Sequence, residues 1–125
     1  CEAGWSAFGS YCHRFFSTAL DAASATAACG GADATLAVAA DAGTNTFVHL
    51  LTGGMPAWVG LSGAGGSLVW ADGTAVGFTQ WADGEPSPPA PDCVAMLMGA
   101  GANDPSWSAE DCGTALSYVC SKPPG

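Results

Sequence analysis

The chain has almost no positive charge. Arg14 and Lys122 are its only basic residues, set against eleven acids, for a net charge of -9. Phosphate binding needs a basic face, so a nucleic-acid partner is excluded. Adhesion to an anionic membrane surface is disfavoured for the same reason. C-x-x-C is missing too, which removes the signature of zinc ribbons and thioredoxin-like sites. The chain has no N-x-S/T sequon, internal repeat or G-x-S-x-G nucleophile motif. The uncharged stretch from Ala42 to Ala71 is long enough to span a bilayer. Asn45, His49, Pro56 and several Gly and Thr interrupt it, and it is rejected as a membrane helix.

What is present suits a stapled domain. The length of 125 residues fits one domain. Hydrophobic residues reach 49%, but Ala supplies much of that, so the core must lean on five Trp, five Phe and two Tyr. The six cysteines, Cys1, Cys12, Cys29, Cys93, Cys112 and Cys120, read as a disulfide framework in an oxidising setting. Each bridge is worth about 2–4 kcal/mol, and spacing alone leaves the pairing open. No signal peptide is visible, and a start at Cys1 reads as a mature product or an excised domain. Asp83, Glu85, Asp92, Asp104, Glu110 and Asp111 gather in the second half. They read as solubilising charge, or as a cation site or recognition face.

Along the chain, Trp5, Phe8, Tyr11 and Phe15 are spaced for short strands about a Gly9-Ser10 turn. Thr18 to Cys29 reads as an Ala-rich helix with Ser17 or Thr18 as N-cap, Asp21 in its first turn and Gly30-Gly31 at its end. A second helix is expected from Asp41 to Leu51, with Phe47, Leu50 and Leu51 as its apolar face and Gly53-Gly54 as its stop. Trp58 to Leu61, Leu68 to Trp70, Cys93 to Met98, Trp107 to Cys112 and Leu116 to Cys120 read as strands. Loops are expected at Gly63 to Gly66, Phe78 to Pro91 and Gly99 to Pro105, and a turn at Asp72-Gly73. The fold class is α+β. Residues 1–121 form the domain and 122–125 a tail or linker.

Several short patterns occur in one order. They are Trp58-Val59-Gly60-Leu61, Trp70-Ala71-Asp72-Gly73, Phe78, Trp81, Gly84-Glu85-Pro86, Asp92-Cys93-Val94, Trp107 five residues before Cys112, and Tyr118-Val119-Cys120. Together they resemble the C-type lectin-like domain family over nearly the whole chain. The resemblance implies the long form of that fold, two helices and short antiparallel sheets with a long-loop region. It implies the pairs Cys1–Cys12, Cys29–Cys120 and Cys93–Cys112, and it makes Trp58 to Leu61 the core strand.

Many members of that family bind sugars through Ca²⁺, a hard cation that takes six to eight oxygen ligands. Their pattern is Glu-Pro-Asn, then Glu two residues before the cysteine matching Cys93, then Trp-Asn-Asp. Here Glu85 and Pro86 match, but Ser87, Pro91, Ser108 and Ala109 replace the other ligands. The acids of the auxiliary calcium site are also missing between Ser62 and Leu68, and Asp92 alone matches. No metal and no cofactor is therefore expected. The alternative is a Ca²⁺ site rebuilt from Glu85, Asp92 and Glu110.

The expected function is an extracellular or cell-surface recognition module that binds a protein or glycan between Phe78 and Trp107, within a larger protein or alone. The candidate ligand contacts are Glu85, Ser87, Trp107 and Ser108. A calcium-dependent lectin is one rival. A structural or ice-binding protein is another, since some fish antifreeze proteins share the fold, although with more cysteines. His13 and His49 read as structural or surface residues, and Trp70, Trp81 and Trp107 mainly as packing. With no catalytic constellation, an enzyme is not expected.

Overall fold

Glycine and aspartate punctuate the chain, and the elements fall between them. The computed structural model describes residues 1, 3–63, 68–81, 93–97 and 106–123. The N-terminal hairpin joins β1 (Ser6–Phe8) to β2 (Tyr11–Leu20) through Gly9, whose φ of 61° suits glycine. Helix α1 (Ala22–Gly30) follows, then β3 (Thr35–Leu36) and helix α2 (Ala42–Thr52). The remaining strands are β4 (Ala57–Val59), β5 (Leu61–Ser62), β6 (Val69–Trp70), β7 (Val94–Leu97), β8 (Ser106–Ala109) and β9 (Leu116–Lys122). Lys122, assigned to the tail from sequence, is thus the last residue of β9 and pairs with Cys12.

The first helix begins later than its sequence suggests. Residues 17–20 continue β2, and Leu20 pairs with Leu116 across a register shift. Asp21 takes the capping role expected of Ser17 or Thr18, its carboxylate accepting the Ser24 N–H at 2.8 Å. Helix α2 starts where expected, with Asp41 accepting the Thr44 N–H at 2.8 Å and Gly53 ending it in the left-handed region. Its buried face is not the expected one. Thr44, Asn45, Val48 and Thr52 point inward, while Leu50 is 70% exposed.

Among the described residues, the main sheet has the order β1-β2-β9-β4-β7-β8, with β3 also paired to β9. The β4–β9 pair is parallel and the rest are antiparallel. Strands β5 and β6 form a second ribbon, pairing Leu61 with Trp70. The expected single strand Trp58 to Leu61 therefore breaks at Gly60. The Gly60 N–H donates to the Ala37 carbonyl at 2.8 Å, and its own carbonyl accepts the Ala71 N–H at 2.7 Å. A Cβ there would lie 2.4 Å from the Leu36 carbonyl oxygen, so the crossing needs glycine.

Alternation along the strands builds a core on each face of the sheet. One face carries Val59, Val94, Met96 and Val119 against Val48 of α2. The other carries Trp58, Ala95, Tyr118 and Cys120 against Ala22, Ala25 and Cys29 of α1. Three disulfides, Cys1–Cys12, Cys29–Cys120 and Cys93–Cys112, hold these layers, as the family resemblance implied. Cys29–Cys120 pins α1 to β9 directly. Both cations lie over aromatic rings, Arg14 over Phe16 at 5.0 Å and Lys122 over Trp5 at 4.4 Å.

Candidate functional site

The β7–β8 hairpin carries the described part of the site. Its register sets Met96 opposite Trp107 and Ala95 opposite Ser108. Cys93–Cys112 closes its base, where the Glu110 N–H also donates to the Cys93 carbonyl at 3.1 Å. Trp107 is completely buried, and three rings meet it edge-on: Trp70 at 5.4 Å, Phe78 at 5.7 Å and Trp81 at 5.6 Å between centroids. Edge-to-face packing suits the aromatic quadrupole. The Trp107 backbone N–H donates to the Gln80 carbonyl at 2.8 Å, and its indole Nε1–H donates to Asn45 Oδ1 at 2.8 Å.

This arrangement turns two of the candidate ligand contacts inward. Trp107 has no exposed face for a sugar, and its role is the packing one also read from the sequence. Ser108 is buried as well, and its hydroxyl donates to Glu110 Oε2 at 2.5 Å. Glu85, Ser87 and Asp92 lie outside the described residues. Asp111 is occupied locally, with its Oδ1 accepting the Gly113 N–H at 2.8 Å. Asn45 has a structural role that the sequence patterns do not indicate. An amide in the first turn of a helix that also carries Thr44, Thr46, His49 and Thr52 gives no sign of a partner 62 positions away.

A groove of about 740 Å³ opens on the α1 side of the sheet, in the size range of small-molecule sites. Ala22, Thr26, Leu36, Trp58, Ser62 and Val94 are among its walls. Asp21 is its one ionisable described wall residue. Ser24 holds that carboxyl below its ordinary range by hydrogen bonding. The groove offers apolar surface and hydroxyls, with no acid–base pair.

Comparison with known proteins places the chain. The Lectin C-type domain profile matches residues 18–122. The chain belongs to the C-type lectin domain family. Protein irg-7 of Caenorhabditis elegans is 29% identical over 98% of this chain, which spans 6% of that protein. The type-2 ice-structuring protein of Hemitripterus americanus is 30% identical over 96% of the chain and 73% of the relative. The solved herring type II antifreeze protein superposes with a TM-score of 0.90 at 28% identity, each chain covered in full. The chain spans 4% to 7% of the length of irg-7, C-type mannose receptor 2 and lymphocyte antigen 75.

Domains of this lectin family often bind Ca²⁺, and the donors on β8 do not fit the ion. Position 109 is alanine, with no side-chain oxygen, and the buried Ser108 hydroxyl is spent on Glu110. An unpaired hydroxyl is already a poorer calcium ligand than a carboxylate or amide oxygen. Among the described residues, no group of three or more His, Cys, Asp or Glu converges as a metal cluster would require. Among those residues, no helix is long and apolar enough to cross a membrane.

Proposed function

We propose that this lectin-type domain is an extracellular recognition module that binds a protein or glycan without calcium, through the long-loop surface between Phe78 and Trp107. The observation that carries the reading is the state of β8. Where a calcium-binding member has two oxygen-bearing side chains, this chain has a buried, hydrogen-bonded hydroxyl at Ser108 and a methyl group at Ala109. Recognition then rests on shape, hydrogen bonds and apolar contact across a rigid base. The Trp107 cluster and Cys93–Cys112 supply that rigidity. The groove beside α1 has Asp21 as its one ionisable described wall residue and so no acid–base pair, which supports binding over catalysis. A glycan-array screen run with calcium and again with chelator tests the proposal. Hits of equal strength in both conditions are expected, and hits abolished by chelator would contradict it.

One observation favours a second reading, ice binding. The ice-structuring relative matches nearly the whole chain, and the herring antifreeze protein shares its fold throughout. The exposed face of α1, with Ala23, Ser24, Thr26, Ala27 and Ala28, carries no charge. Thermal hysteresis at millimolar protein would establish that reading, and its absence would remove it.

A further inference from the structure

His13 is the one histidine that the fold seals completely, at 0% exposure. Four parts of the chain meet around it. Its Nε2 faces the Phe8 carbonyl of β1 at 3.4 Å, and its Nδ1 lies 2.8 Å from the Ser121 hydroxyl of β9. The Ser121 oxygen also accepts the Val38 N–H at 3.3 Å, just before α2. Phe47 of α2 closes the ring plane at 5.6 Å between centroids, and Phe47 itself stacks on Phe8 at 4.8 Å.

The network fixes the neutral tautomer. Nε2–H donates to Phe8, Nδ1 accepts from the Ser121 hydroxyl, and the Ser121 lone pair accepts from Val38. A proton added at Nδ1 turns that acceptor into a donor, and the Ser121 hydroxyl must swing its own proton away. The new charge then lies on a fully buried ring with the tilted Phe47 and Tyr11 rings as neighbours, away from water. Its direct partners, the Phe8 carbonyl and the Ser121 hydroxyl, are uncharged. The surrounding elements carry Arg14 of β2, which lies over Phe16 at 5.0 Å, and His49 in the last turn of α2. Tyr11, beside His13 on β2, spends its hydroxyl on Asp72. Asp41, at the start of α2, is tied to the Thr44 N–H. Lys122 of β9 is turned away over Trp5. Strand β1 carries no ionisable side chain.

We propose that His13 is an acid-sensitive latch, which fastens the N-terminal hairpin and α2 to the last strand while neutral and loosens them when protonated. Burial pushes its pKa below the ordinary 6.5. A base with a lowered folded pKa contributes its full stability above the unfolded value. That stability is lost as the pH falls below 6.5 and through the lower folded value. In that window the opening equilibrium shifts by up to about tenfold per pH unit for one proton taken up.

Two measurements on the intact chain test the latch. The first is an NMR titration of the His13 imidazole between pH 4 and 8. The second is amide hydrogen exchange at pH 7 and pH 5, corrected for the intrinsic rate, in the wild type and in His13→Gln. The latch predicts a His13 titration below 6.5. It also predicts faster acid exchange confined to Ser6–Phe8, Tyr11–Phe16 and α2, and absent from the variant. A titration at or above 6.5, or acid opening that is equal in both proteins or spread evenly over the sheet, would overturn it. If the variant does not fold, the wild-type titration and the map of its exchange decide the matter.

Discussion

The Trp107 indole donates to the Asn45 amide oxygen across 2.8 Å, joining β8 to the buried face of α2. This bond explains why a helix in a hydrophobic protein turns an asparagine inward. Trp107 also holds Trp70, Phe78 and Trp81 edge-on, so this hydrogen bond ties the aromatic cluster to α2. Asn45→Leu keeps the size of the side chain and leaves the buried indole N–H unpaired, which costs about 1–3 kcal/mol. Urea denaturation of Asn45→Leu, Trp107→Phe and the double variant reads the coupling. Non-additive losses are expected, and strictly additive ones would separate the two residues.

Gly60 is predicted to resist even one methyl group. Its Cβ would have to displace the Leu36 carbonyl from 2.4 Å and crowd Ala71 at 3.0 Å. Gly60→Ala is expected to cost about 1–3 kcal/mol through overpacking. Gly53→Ala meets no neighbour, but it sits at φ 63° and should be destabilised more mildly, through backbone strain. Thermal melts of the two variants would rank them, and a neutral Gly60→Ala would count against the proposed crossing.

The two helix caps make a paired prediction. Asp41→Ala should destabilise the fold by about 0.5–2 kcal/mol, because Thr44 loses its acceptor. Asp21 should show itself in acid. Its carboxyl is held below the ordinary 3.8 by hydrogen bonds from Ser24. Its contribution is therefore complete above 3.8 and fades as the pH falls through the lower folded value. Amide shifts of α1 followed from pH 5 to pH 2 should show fraying only at the acid end, and fraying already at pH 5 would contradict this.

Much of this molecule was legible in its residues. The ordered Trp, Gly and Cys patterns carried the fold and the three disulfide pairs. The start of α1 was not legible, because Ser17 and Thr18 satisfy capping preferences while their backbone is used by β2. Pairing with β9 overrode local propensity there. The face of α2 was misread because Leu50 and Phe47 look like core residues. The space beneath the helix was instead filled by Val48 and by the Asn45–Trp107 bond, which is invisible to periodicity. Trp107 stood in the right pattern, but its burial follows from three rings around it that all come from the stretch Trp70 to Trp81, on the other side of β7 in the chain.

Recognition by this domain is proposed to need no calcium. Isothermal calorimetry of the chelator-treated domain titrated with Ca²⁺, paired with melting curves in calcium and in chelator, tests that claim most directly. No saturable heat and the same melting temperature in both conditions are expected. Saturable micromolar binding with a rise in melting temperature would contradict it.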